Sequence, residues 1–223
     1  MSRIALIGEN SIEYVNMLLD IWGKGHSVVL IDWRIPIRAS IQMMKEAGVN
    51  TCIIEKKYLD TRNYVLGNNI TFYSYERKEE AARLLPLSVY EKYVNNYSDN
   101  EAVVIYSSGT TGNAKGIVLS HYAINKNADA IIDYMFPKEN DCIYIAKTLS
   151  HSSTFIGELL VALKTNTNIV IGPVVVPPRT ILSNVDKFEV SIICLNPVLL
   201  SLIKDEYIRG DYKLNLNYSR NSI

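Results

Sequence analysis

The chain has 223 residues, of which 48% are hydrophobic and 21% charged; this excludes a disordered protein and is typical of one large or two small globular domains. Lys and Arg together number 23, as do Asp and Glu, so the formal net charge is zero. Nucleic acid and anionic membrane are bound through a basic excess, and neither is expected as the main partner. The sequence predicts no membrane span and no signal peptide.

Short runs rich in Ile and Val alternate with helical patterns, which predicts an α/β fold with mostly parallel sheets covered by helices. Most of these runs are continuously apolar, so we expect burial on both faces of the sheets. The predicted strands are residues 4–7, 28–31, 51–54, 102–106, 142–146, 168–171 and 191–195. The predicted helices begin at residue 10 and end at Gly23 or Gly25, and then cover 36–48, 121–136, 155–164, 178–188 and 197–207.

Local residues predict several helix ends. Asn10 with Glu13 has the spacing of a capping box at the first helix. Gly48 is expected to end the second helix, and Ser120 to cap the third.

A polar stretch covers residues 58–100 and contains the charged run 76–80, which we interpret as a solvated helix face. A boundary is predicted near residue 99. It divides the chain into a first α/β subdomain, 1–99, and a second, 100–223, which carries a glycine-rich loop.

The cysteines and histidines do not form a metal-binding pattern. Cys52, Cys142 and Cys194 lie far apart in apolar runs, and we expect buried, reduced thiols in a cytoplasmic protein. The histidines are scattered and no metal site is predicted. His121, next to the predicted cap Ser120, is expected to be structural.

The segment 103–121, VVIYSSGTTGNAKGIVLSH, is the strongest chemical signal. A buried strand leads directly into a loop rich in Gly, Ser and Thr that contains one lysine. Glycines allow backbone N–H groups to approach a ligand, hydroxyls donate to phosphate oxygens, and the lysine adds positive charge. A Walker A loop is excluded because Gly116 follows Lys115, and no G-x-G-x-x-G turn is present. The alternative is a flexible surface loop.

This segment resembles the phosphate-loop signature of the adenylate-forming superfamily, which includes acyl-CoA synthetases and peptide-synthetase adenylation domains. The resemblance implies the fold of part of that family's N-terminal domain, and activation of a carboxylic acid with ATP and Mg²⁺ to an acyl-adenylate. CoA or a carrier-protein thiol is implied as the acceptor. It also implies that the loop binds the ATP phosphates through Ser107, Ser108, Gly109, Thr110, Thr111, Gly112, Lys115 and Gly116.

The resemblance continues at residues 148–153, TLSHSS, which are similar to the family's next motif. It implies that His151 borders the acyl pocket, whereas a lone histidine at a strand end is otherwise a structural hydrogen-bonding residue. No residue is assigned as catalytic.

The family's Tyr-Gly-x-Thr-Glu segment and its C-terminal domain have no counterpart in these residues. We therefore expect a fragment or truncated product, a complementary C-terminal polypeptide, or self-association through uncovered apolar surface. The alternative function is a non-catalytic nucleotide-binding or interaction module derived from such an enzyme.

Overall fold

The computed structural model describes residues 1–59, 69–78, 80–84, 91–107, 114–138, 140–210 and 212. Its strands are β1 (Arg3–Ile7), β2 (Ser27–Ile31), β3 (Thr51–Glu55), β4 (Thr71–Tyr75), β5 (Ala82–Leu84), β6 (Glu101–Ser107), β7 (Lys115–Ser120), β8 (Cys142–Ile145), β9 (Asn168–Ile171) and β10 (Ile192–Ile193).

The longer helices are α1 (Ile12–Gly23), α2 (Ile37–Glu46), α5 (His121–Met135), α7 (Pro178–Lys187) and α8 (Pro197–Arg209), while α3 (Lys56–Leu59) and α4 (Glu91–Val94) are single turns. The remaining helix, α6, has three consecutive parts. These are Ser152–Thr154, the π-helical Phe155–Leu160, and Val161–Thr165.

The first sheet has six strands in the order β4-β3-β1-β2-β6-β7. All of its neighbouring strands are parallel except β6 and β7, which form an antiparallel hairpin. The parallel strands therefore all end at one edge, called here the carboxyl edge of the sheet. Ligands of open α/β sheets bind beyond that edge.

The second sheet has four strands in the order β10-β8-β9-β5. Its strands β8, β9 and β10 are parallel, and β5 pairs with β9 in the antiparallel direction. The sheets do not divide at residue 100, because β6 and β7 belong to the first sheet and β5 to the second. The division into subdomains 1–99 and 100–223 stays a prediction.

A shared layer of helices lies between the two sheets. Alternate residues of β1 and β2 point into this layer, where Leu6 and Leu30 pack in one cluster with Leu18 of α1 and with Phe155 of α6. Ile143 of the second sheet belongs to the same cluster. Helix α2 covers the outer face of the first sheet, and α7 covers that of the second. The predicted α/β fold with sheets buried on both faces is confirmed.

The first helix begins differently from the prediction. Its N-cap is Ser11, whose hydroxyl accepts a hydrogen bond from the Tyr14 backbone N–H at 3.0 Å. The capping box of Asn10 and Glu13 is therefore wrong. Ser120 does cap α5, and Gly48 follows α2 in the left-handed conformation that favours glycine.

The charged run 76–80 was expected on a solvated helix, but residues 76–78 are not helical. Arg77 has a side chain only 4% exposed, with nitrogens 3.0 Å from Glu55 and 3.3 Å from Glu9. The reason is that β4 ends at Tyr75, so Arg77 lies at the carboxyl edge beside the ends of β1 and β3.

The cysteines are free, and Cys52 and Cys142 are buried as expected, whereas Cys194 is half-buried. The described residues contain no group of three His, Cys, Asp or Glu side chains that could hold a metal ion. Within the same ranges, none of the helices has the length and hydrophobicity needed to cross a membrane.

Candidate functional site

The β6–β7 hairpin holds the two described ends of the predicted phosphate loop. Ser107 is the last residue of β6, Lys115 is the first of β7, and the two are partners in the antiparallel register. Both are exposed. Because β6 runs parallel to β2, the pair lies at the carboxyl edge of the first sheet. The loop residues Ser108, Gly109, Thr110, Thr111 and Gly112 lie outside the described residues.

Gly116 has a packing role in this hairpin. It pairs with Tyr106, and a Cβ at Gly116 would lie 3.2 Å from Val104 Cγ1 and 3.3 Å from the Tyr106 ring. The Tyr106 hydroxyl donates a hydrogen bond of 2.7 Å to the carbonyl of Met43, which fixes the ring. A side chain at Gly116 would disturb this arrangement, whether or not the loop binds phosphate.

His151 lies at the carboxyl edge of the second sheet. It follows β8, caps the first part of α6 without a side-chain hydrogen bond, and has a side chain 59% exposed. Its Nε2 is 4.0 Å from a carboxylate oxygen of Asp32, which follows β2 of the first sheet. The carboxyl edges of the two sheets therefore face each other at this point.

Asp32 is held by its neighbour Arg34. The guanidinium of Arg34 donates to both carboxylate oxygens, with N–O distances of 2.5 and 2.9 Å. Burial works to raise the pKa of Asp32, but the hydrogen bonds from Arg34 prevail and the pKa is lowered. Asp32 therefore remains a carboxylate, and much of the Arg34 charge is already satisfied.

Asn10 connects the two edges directly. This residue is buried, follows β1, and donates from its side chain to the Lys147 carbonyl at 2.8 Å. It also accepts from the Leu149 backbone N–H at 2.9 Å. Asn10 thus fixes the segment after β8 against the first sheet.

Lys147 and Glu158 form an ion pair behind His151. The Lys147 Nζ is 2.9 Å from a Glu158 carboxylate oxygen; the side chains are 22% and 1% exposed, respectively. Burial raises the pKa of Glu158 to about 7, although the Lys147 charge opposes this. Burial, with a smaller contribution from Glu158, also raises the pKa of the Cys194 thiol to about 11.

A cavity of about 670 Å³ opens where the two edges meet. Lys147 and His151 line it from the second sheet and Arg34 from the first, while α8 contributes apolar side chains including Val198 and Leu202. Its volume is in the range of small-molecule sites. Neither Ser107 nor Lys115 is among the described residues of its lining.

Sequence reasoning identified His151 but missed Asn10, Asp32, Lys147 and Glu158. Glu158 did leave a signal, because it is the single charged residue between Phe155 and Leu163 in an apolar helix. A lone acid at such a position is buried only with a partner. The Asp-Trp-Arg segment directly after a predicted strand was a second, weaker signal.

The family model described as "AMP-binding enzyme" matches residues 1–220. Long-chain-fatty-acid–CoA ligase ACSBG2 of Rattus norvegicus is 28% identical over 148 residues, which are 57% of this chain and 22% of that protein. Gramicidin S synthase 2 of Aneurinibacillus migulanus is 24% identical over 226 residues, 98% of this chain and 5% of that protein. The chain thus spans less than a quarter of the length of these relatives.

Solved structures share the fold. O-succinylbenzoate coenzyme A synthetase from Bacillus subtilis, in complex with AMP, aligns with a TM-score of 0.75 at 18% identity, covering 92% of this chain and 52% of that one. The N-terminal domain of FACL13 from Mycobacterium tuberculosis aligns with a TM-score of 0.77 at 16% identity, covering 96% and 54%.

Proposed function

Because the chain belongs to the AMP-binding enzyme family, we propose that it takes part in the ATP-dependent activation of a carboxylic acid. In this reaction a carboxylate oxygen attacks the α-phosphorus of ATP, the bond to the β-phosphate oxygen breaks, and an acyl-adenylate and pyrophosphate form. The thiol of CoA or of a carrier protein then gives up its proton and attacks the acyl carbon, the bond from this carbon to the AMP phosphate oxygen breaks, and a thioester and AMP form.

The loop between Ser107 and Gly116 acts on the β- and γ-phosphates in this proposal. Lys115 and the Ser and Thr hydroxyls donate charge-assisted hydrogen bonds to the phosphates and stabilise the negative charge that develops on departing pyrophosphate. The observation that carries the proposal is the Ser107–Lys115 pairing, since it brings a hydroxyl and an ammonium group to the carboxyl edge of a parallel sheet.

The cavity at the facing edge receives the acid. His151 lines this cavity, with its Nε2 4.0 Å from a carboxylate oxygen of Asp32, and flanks the bound substrate carboxylate in this scheme. Magnesium accompanies ATP in this proposal, since Mg²⁺ is commonly bound through substrate phosphates. The free cysteines agree with a cytoplasmic location, which is part of the proposal.

We also propose that the chain self-associates or pairs with a complementary C-terminal polypeptide. Helix α8 exposes apolar side chains along much of its length, and of its residues only Ile203 is buried. The exposed ones include Val198, Leu202 and Ile208. Apolar surface of this kind is usually an interface. Light scattering over a concentration series tests self-association, which a mass that stays monomeric throughout would contradict. The same measurement after addition of a separately expressed C-terminal portion of a relative tests the pairing, which an unchanged mass would contradict.

ATP–pyrophosphate exchange tests the activation step itself. The purified chain is incubated with ATP, labelled pyrophosphate and a panel of carboxylic acids, with and without a separately expressed C-terminal portion of a relative. Acid-dependent exchange that is lost in Lys115→Ala is the expected result. If ATP binds and no acid supports exchange in either mixture, the non-catalytic nucleotide-binding module becomes the better description.

A further inference from the structure

We propose that Lys147 makes the cavity selective for an acid that carries a second carboxylate, so that the substrate is a small dicarboxylic acid. The inference rests on the proposed function for the activation of the first carboxylate. It concerns the other end of the same molecule, which the ammonium group of Lys147 would hold.

The contacts of Lys147 leave its charge available to a ligand. A lysine ammonium has three N–H donors, and within the described residues the side chain of Lys147 has Glu158 as its partner. The side chain is 22% exposed and lines the cavity. A carboxylate entering the cavity can therefore accept a hydrogen bond from Lys147 without displacing Glu158.

Glu158 explains why Lys147 stays in place. Its carboxylate is fully buried, and neither oxygen has a hydrogen bond of good geometry, so the ion pair is its main stabilising contact. Removing a carboxylate from water costs several kcal/mol and is tolerated only beside a compensating charge. The pair therefore holds the ammonium group beside Glu158, in a side chain that lines the cavity.

The other charges around the cavity favour an anion near Lys147. Arg34 is engaged by Asp32, and His151 Nε2 is 4.0 Å from the same carboxylate. No acidic side chain belongs to the described lining of the cavity. Most of the remaining wall is apolar and can receive the carbon chain that joins the two carboxylates.

Protonation of Glu158 strengthens this preference. With a pKa of about 7, Glu158 becomes neutral as the pH falls from 8 to 6, and Lys147 then lacks its internal counter-ion. An anion should bind more tightly at pH 6 than at pH 8. The groups that also face this region are Asp32, Arg34, His151 and Cys194, and a His151→Gln variant is measured alongside to separate the contribution of the imidazole from that of Glu158.

The test measures binding to the 223-residue chain by calorimetry in the absence of ATP. The probes are succinate, glutarate and adipate, each compared with its monomethyl ester, which has the same length and one carboxylate fewer. For the preferred length we expect the diacid to bind about tenfold or more tightly than its ester, because a charged hydrogen bond is lost in the ester.

Variants assign that difference to Lys147. Lys147→Arg should keep the preference for the diacid, and the double variant Lys147→Met, Glu158→Gln should lose it. The double variant removes both charges, so no unpaired charge is left buried. Glu158→Gln alone should tighten diacid binding and flatten its pH dependence. Lys204→Met, an exposed lysine of α8 outside the described cavity lining, is the control and should behave like the wild type.

Equal affinity for diacid and ester, no binding of any diacid at millimolar concentration, or a preference that survives in the double variant would overturn the inference. The proposed function can fail separately. Diacid binding that depends on Lys147, without acid-dependent pyrophosphate exchange, would leave the cavity assignment intact and refute the activation step. Exchange that is supported only by monocarboxylic acids would support the activation step and refute the assignment of the cavity to a dicarboxylic acid.

Discussion

The hairpin end of the first sheet and the cavity at the edge of the second are built in different ways. The hairpin site is local, because its ends, Ser107 and Lys115, are close in sequence and become partners through a single strand pairing. The cavity is assembled from Arg34, Lys147 and His151, which come from three separate segments. A local site leaves a motif in the sequence, whereas an assembled one depends on the contacts that bring its segments together.

The Asn10 side chain bonds the first sheet to the segment that carries Lys147 and leads to His151. Replacing it by alanine leaves the Lys147 carbonyl and the Leu149 N–H without their hydrogen-bond partner. Each unsatisfied buried group costs about 1 to 3 kcal/mol, so we expect Asn10→Ala to lower the free energy of unfolding by about 2 to 6 kcal/mol. Urea unfolding measures this, with the exposed Asn50→Ala as the control. A loss as small as that of the control would show that the two edges are held together by other contacts.

The same contrast explains what the sequence could predict. The core strands were found because they are continuously apolar, but β4, β5 and β7 were missed. Four residues of β7 are exposed, and its sequence continues directly from the loop motif with no residue that marks a strand start. β4 has no continuous apolar run. The phosphate-binding role of the loop residues was predicted from their order alone and stays a prediction. The ion pair of Lys147 and Glu158 could not be predicted from the sequence. Lys147 follows a strand and Glu158 lies on a helix, and only the tertiary fold brings the two side chains together.

The second prediction concerns Glu158 and pH. Its pKa in the folded chain, about 7, is above the ordinary value of 4.5, so the native state binds a proton that the unfolded chain has already lost. This contribution to stability is fully present below pH 4.5 and is lost as the pH rises to about 7. Between pH 4.5 and 8, Glu158→Gln should therefore gain stability relative to the wild type, by on the order of 3 kcal/mol.

Denaturant unfolding across this pH range measures the difference, with the exposed Glu80→Gln as the control. Burial lowers the pKa of His121, which gives a slope of opposite sign, but that slope is common to both proteins and cancels in the comparison. A constant difference between Glu158→Gln and wild type would mean that Glu158 is ionised throughout.

The third prediction separates the two sites functionally. Lys115→Ala should weaken the binding of ATP or pyrophosphate by about 1.5 to 3 kcal/mol, the value of one charge-assisted hydrogen bond. The stability of the fold should barely change, because the side chain is exposed. Diacid binding in the cavity should also be unaffected, since Lys115 is not part of the described lining.

Calorimetry measures the binding of ATP or pyrophosphate and, separately, the binding of the diacid. Lys45→Ala is the matched control, an exposed lysine near the end of α2 that lies toward the opposite edge of the first sheet. Unchanged nucleotide affinity in Lys115→Ala would remove this lysine from the phosphate site.

The smallest expected effect is that of replacing Ser11. It tests the start of α1, where the sequence pattern predicted Asn10 as the N-cap and the structure has its neighbour Ser11. Asn and Ser are equally good N-cap residues, so the sequence alone could not decide between Asn10 and Ser11. The tertiary partners of Asn10 decide it, because they occupy its amide and leave the helix end to the Ser11 hydroxyl. Loss of an N-cap costs about 1 kcal/mol, so Ser11→Ala should be destabilised by about that amount, less than Asn10→Ala. If Asn10 were the cap, Asn10→Ala would lower the free energy of unfolding by about 1 kcal/mol and Ser11→Ala would lower it by almost nothing. The order of the two urea midpoints therefore shows whether Asn10 acts as a local helix cap or as a contact between the two sheets.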